Sequence, residues 1–161
     1  KNQNLWIYTA DCMPILFGDR INKNVAAIHC GRKGLEKNII ANVIYKLENM
    51  GSLRKDLLVA IGPSISGENY LIDKVTYDKF RENFKLRRYS IREDMRESNE
   101  FISNEKISLD IKRNAYLQLI GEGIKPNHID VFNKCTFIEK EFHSWRRSKN
   151  KYRQWSIISS K

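Results

Sequence analysis

Two short segments carry the residue types that can do chemistry: Thr9-Ala10-Asp11-Cys12-Met13-Pro14 and Ala27-Ile28-His29-Cys30-Gly31-Arg32-Lys33-Gly34. Each sets a thiol or an imidazole at the edge of an apolar run. Delivered by neighbouring strands, Cys12 and His29 can ligate a zinc ion or act together as nucleophile and base. Two donors do not decide between these, because a catalytic zinc takes three protein ligands and keeps one position for water. Asp11 is placed to orient a ligand or move a proton, although an acidic residue beside a turn more often caps backbone N–H groups.

The passage from His29 to Gly34 has its own logic. Gly31 and Gly34 at the entrance of a helix let the backbone approach a ligand closely, and the free N–H groups of the first turn attract an anion. Arg32 and Lys33 add charge there. The spacing is neither a Walker loop nor GxGxxG, and two glycines that only permit a tight turn and close packing account for it equally well.

Strand and helix signals alternate around these residues. Leu5-Trp6-Ile7-Tyr8 reads as a strand, and Pro14–Phe17 and Val25–His29 read as two strands joined by a hairpin connection over 18–24. That pairing places Cys12 just before one strand and His29 at the end of the other. From Gly34, the spacing of Leu35, Ile39, Ile40, Val43, Ile44 and Leu47 predicts one amphipathic helix stopped at Gly51. Leu57–Ile61 reads as a buried strand, Tyr70-Leu71-Ile72 as an extended piece, and 74–84 as a helix. The charged stretch 85–106 is expected to be a long loop or mobile insertion. Ser108 is expected to cap a helix with Leu109, Tyr116, Leu117 and Ile120 on one face, and Ile129–Phe132 and Gln154–Ile158 are the last strands.

The composition bounds the rest. A chain of 161 residues, 41% of them hydrophobic, can bury roughly two-thirds of its unfolded surface in one core, so residues 1–161 read as a single domain. No apolar run approaches the roughly 20 residues that cross a bilayer, and residues 1–10 lack the regions of a secretory signal, so a soluble protein without membrane partners is expected. Three cysteines make no even framework and no CxxC pair, which favours reduced thiols in the cytoplasm. A net charge of +10 favours anionic partners, densest at Arg87-Arg88 and over 146–153. The chain opens on Lys1 and runs directly into a strand, so it is expected to be N-terminally incomplete.

With Ala60-Ile61-Gly62-Pro63-Ser64-Ile65, Leu109-Asp110, Cys135-Thr136 and Phe142-His143-Ser144-Trp145-Arg146-Arg147 added in order, the sequence resembles the YfiH/laccase-domain family, once called multicopper polyphenol oxidases. The resemblance implies an α/β fold, a mixed sheet with flanking helices, of the kind shared with cysteine-hydrolase-like toxin domains. It also implies zinc, or alternatively copper, bound by two histidines and a cysteine, of which Cys12 and His29 match two. The implied reaction is phosphorolysis of adenosine, inosine, guanosine or methylthioadenosine, with adenosine deamination as a second activity; purine nucleoside and phosphate are then the partners. Lys33, Arg146 and Arg147 become candidates to hold phosphate, next to Gly31 and Gly34. The family's first histidine, in a Gln-Val-His-Gly-like motif, has no match in residues 1–8. The usual His-Ala-Gly-Trp-Arg-Gly is here His29-Cys30-Gly31-Arg32-Lys33-Gly34, and His143 is the internal substitute for the unmatched imidazole.

Two other classes compete. Cys12 as thiolate with His29 as base would make a metal-free amidase-like hydrolase of the peptidoglycan-precursor editing kind. A degenerate, non-enzymatic module would instead bind nucleotides or RNA through its arginines and Trp145, Tyr152 and Trp155, and nucleic acid is the less favoured partner.

Overall fold

Alternation of buried and outward side chains builds the centre of the molecule. In the computed structural model, which describes residues 3–85, 101–103 and 106–160, strands β2 (Met13–Asp19) and β3 (Val25–Cys30) pair antiparallel, Met13 opposite Cys30 and Gly18 opposite Val25. Met13, Ile15, Phe17, Ile28 and Cys30 are all buried on one face. Pro14, Leu16, Ala27 and His29 therefore fall on the other. The connecting turn is closed by Asp19, whose carboxylate accepts from the Ile21 and Asn22 backbone at 2.8 and 3.0 Å and from Asn22 Nδ2 at 3.0 Å.

Strand β4 (Leu57–Ile61) pairs antiparallel with the opposite edge of β2, and β8 (Ile129–Val131) adds to β4 in parallel. The order β3-β2-β4-β8 makes a mixed four-stranded sheet, and the parallel pair needs the long crossover that the intervening elements supply. Within that crossover β5 (Leu71–Asp73), β6 (Phe101–Ser103) and β7 (Lys106–Ser108) form a second sheet, with α3 (Lys74–Lys85) packed on it. The expected loop over 85–106 lies largely outside the described residues. Its described end is a strand, because β6 finds a hydrogen-bonding partner in β7.

The helix expected from Gly34 is two helices, α1 (Arg32–Glu36) and α2 (Ile39–Asn49). Asn38 breaks it: its φ of 58° is left-handed, a region Asn enters more readily than other non-glycine residues. Helix α2 still buries Ile40, Ile44 and Leu47 against the sheet, each worth about 1.5–3 kcal/mol of transfer free energy. Helix α4 (Ile111–Gly121) is capped by Asp110, whose side chain accepts from Arg113 N at 2.9 Å, and not by Ser108, which ends β7. The later start turns a different face inward. Ile111, Ala115 and Leu119 are buried, whereas Tyr116, Leu117 and Ile120 are half-buried.

Strand β1 (Gln3–Thr9) pairs antiparallel with β9 (Gln154–Ser160), Thr9 opposite Gln154. This ribbon packs on β2 and β3 across the face away from α2, with Ile158 Cδ1 3.8 Å from where a Gly18 side chain would begin. Among the described residues no helix is long and apolar enough to cross a membrane.

Candidate functional site

The segment before β2 is shaped by one residue. Asp11 has a φ of 92°, which turns the chain sharply between β1 and β2. Its Oδ1 accepts from Thr136 Oγ1 at 2.8 Å, its Oδ2 from Arg146 N at 2.7 Å, and its carbonyl from Ile65 N at 2.9 Å. Asp11, expected to work beside Cys12 in catalysis, thus has both carboxylate oxygens engaged in drawing three distant segments together.

Cys12 and His29 come to one face. Gly31 follows Cys30 and so points to the same side as His29, and a Cβ there would lie 2.5 Å from Cys12 Sγ. The sulfur occupies the space that the glycine vacates. Gly31 is therefore required by Cys12, and helix α1, five residues long, offers no extended N-terminus of its own.

The electrostatics favour neutral forms of both groups. Burial pushes the Cys12 thiol up, the Asp11 carboxylate adds to that, and Arg153 opposes it. Burial lowers the His29 imidazole, a hydrogen bond with the Tyr8 backbone raises it, and Arg153 lowers it further. A protonated thiol is a poor nucleophile, whereas a neutral imidazole is the form that ligates metals. Cys30, by contrast, is a core residue whose thiol is pushed up to about 12, mainly by burial.

Among the described residues no group of three His, Cys, Asp or Glu side chains could hold a metal ion. The donor types of Cys12 and His29 suit zinc; their number falls one short of a catalytic set. His128 turns to the Leu57 carbonyl at 3.1 Å. His143 lies exposed with its ring 5.6 Å from that of Tyr152 and its backbone N–H on Gln154 Oε1.

The remaining expected binders separate. Lys33 is exposed on α1, and a side chain at Gly34 would make only ordinary contacts with Ile39, Cys30 and the His29 carbonyl. Arg147 donates to the carbonyls of Thr136, Phe137, Glu139 and Phe142, which makes it a clamp on the 136–142 loop. Arg146, from α5 (Trp145–Ser148), lies over the Tyr70 ring at 5.1 Å and donates to the Leu71 carbonyl at 3.2 Å. Sequence reasoning missed Arg153, whose charge acts on both Cys12 and His29 while its guanidinium donates to the Asn150 and Tyr152 carbonyls, and Thr136 as the donor that fixes Asp11. The Cys135-Thr136 motif could have signalled the second; the first lies in the basic stretch 146–153, which does not single it out.

Comparison with known proteins agrees with this architecture. The chain is 37% identical over 170 residues to a Synechocystis protein named purine nucleoside phosphorylase, covering 99% of this chain and 64% of that protein. An Aquifex aeolicus protein of the same name is 35% identical over 159 residues, covering 98% of this chain and 66% of that one. The crystal structure of the Bacillus licheniformis hypothetical protein YfiH superposes with a TM-score of 0.85 at 28% identity, covering 98% of this chain and 58% of that one. The chain thus spans a little under two-thirds of the length of these relatives. Residues 1–161 match the family described as multi-copper polyphenol oxidoreductase laccase along their whole length, and the chain belongs to that family.

Proposed function

We propose that this chain forms the core of a zinc-dependent purine nucleoside phosphorylase with adenosine deamination as a second activity. The observation that carries the reading is the convergence of Cys12 and His29 on one face, with Arg153 bearing on both. The relatives' name, purine nucleoside phosphorylase, supports the phosphorolysis part of this reading.

In phosphorolysis a phosphate oxygen bonds to the ribose C1′ as the bond to the purine nitrogen breaks, and the departing base takes up a proton. Zinc, when bound, supplies Lewis-acid polarisation of a substrate oxygen. Cys12 and His29 would be two of its ligands, the thiol giving up its proton on binding. Arg153 places positive charge where an anionic co-substrate approaches. Asp11 holds the start of α5 through the Arg146 backbone N–H and so fixes that segment beside the turn that carries Cys12.

Elemental analysis of the purified protein, with chromatography of adenosine and inosine reactions run with and without phosphate, tests this. The expected result is zinc that copurifies in a fixed ratio to the protein and is lost in Cys12→Ala and His29→Ala, and base release that requires phosphate. Ammonia release from adenosine alone would replace phosphorolysis with deamination. Turnover that survives chelators and is abolished by iodoacetamide would replace both with cysteine hydrolysis.

A further inference from the structure

A cavity of about 660 Å³ is lined by residues that include Arg32, Tyr70, Asp73, Thr76, Lys106 and Arg146. Two of its walls are one bond away from the site already described. Arg32 follows Gly31, which packs on the Cys12 sulfur, and Arg146 gives its backbone N–H to Asp11.

The lining is cationic by convergence. Arg32 comes from α1, Lys106 from β7 and Arg146 from α5, so the three charges do not form a stripe on one helix. Among the described lining residues they face one carboxylate, Asp73, which is engaged by Thr76 N at 2.8 Å and Thr76 Oγ1 at 2.7 Å. Arg32 also pairs with Glu36 on its own helix. Arg146 spends one of its five N–H donors on Leu71 O, and the planar fork that remains matches phosphate oxygens. The volume falls within the roughly 300–1,000 Å³ of small-molecule sites, and the Tyr70 ring supplies an aromatic wall.

We propose that this cavity is a phosphate subsite in which Arg32, Lys106 and Arg146 hold the phosphoryl oxygens of the ligand. Its catalytic meaning rests on the phosphorolysis reading; its affinity for phosphate does not. The phosphoryl group is either inorganic phosphate or the 5′-phosphate of a purine nucleotide. Both present the same dianion to the same three cations.

Calorimetric titration of the full protein with inorganic phosphate, adenosine 5′-monophosphate and uncharged adenosine distinguishes the sources. Arg32→Gln and Lys106→Gln are each expected to weaken phosphate binding about tenfold, the loss of one charge-assisted hydrogen bond, with adenosine unaffected. Arg146→Lys, which keeps a cation but loses the fork, serves as a third variant, and thermal melts verify that each one folds. Binding of inorganic phosphate alone assigns the co-substrate; tighter binding of the monophosphate assigns a phosphorylated purine, and either result keeps the subsite. Absence of phosphate binding, or binding unchanged in both glutamine variants, overturns it. If the variants weaken binding but the protein releases no base from adenosine or inosine with phosphate present, the subsite stands and phosphorolysis falls. If base release shows the same KM for phosphate in both variants as in the parent, the subsite falls and phosphorolysis stands.

Discussion

The two ends of strand β2 are each anchored by an aspartate, but the anchors reach different distances. Asp19 takes donors from Ile21 and Asn22, two and three residues on, and from the more distant Ser52. Asp11 takes its donors from Thr136 and Arg146, 125 and 135 residues away. The Asp19 end closes a turn that any hairpin needs. The Asp11 end gathers Thr136 and the start of α5 to the turn that carries Cys12, and holds a left-handed backbone while doing so. A local anchor makes a fold; a long-range anchor on a strained residue makes a site.

The sharpest way to break the comparison is Asp11→Ala, which removes two hydrogen bonds to a charged acceptor and leaves alanine at φ 92°. A stability loss of about 3 kcal/mol is expected in urea unfolding, together with loss of any activity assigned to the Cys12 face. At the other end, burial alone would raise the Asp19 carboxyl, but hydrogen bonds from Ser52, Asn22 and Ile21 outweigh it and bring the pKa to about 2. Against an unfolded value of about 3.9 this contributes about 2 kcal/mol, fully present above pH ~4 and lost as the pH falls to ~2. Asp19→Asn should therefore cost that amount at pH 7 and almost nothing near pH 2, and it should leave activity per folded molecule unchanged. A constant difference across acid unfolding curves would refute the carboxylate's role.

The smallest effect on stability is expected at Gly31→Ala. The new methyl meets Cys12 Sγ, a short side chain that can rotate away, at a cost of about 1 kcal/mol. Rotation takes the sulfur off the His29 face, so metal uptake should fall far more than stability. In a Cys12→Ala background the stability cost should vanish. A cost that persists there would mean that Gly31 serves the backbone and not the thiol.

Legibility in the sequence followed the same division. Strands β2, β3 and β4 could be read because each is a short apolar run ended by turn residues, and helix α2 because its apolar side chains repeat at the helical period. The break at Asn38 could not, since a left-handed residue leaves the apolar spacing on either side intact. Ser108 and Asp110 are both plausible caps two residues apart, and only the pairing of β7 with β5 decides between them. At the site, Cys12 and His29 were legible as types on adjacent strands. For Asp11 the capping of a backbone N–H was legible, but its partners Thr136 and Arg146 were not, because they come from segments that no period marks. Arg146 and Arg147 read alike, yet one lines a cavity and the other is consumed by four carbonyls.

The pairing of β1 with β9 sets an order of events during synthesis. The first described strand to leave the ribosome finds its partner only after the last has been made, and Arg153 sits immediately before that partner. Until then β1 has an unfilled hydrogen-bonding edge, and Cys12 and His29 lack the influence of the Arg153 charge. A nascent chain halted before residue 153 therefore lacks both the partner of β1 and the charge that Arg153 brings to Cys12 and His29.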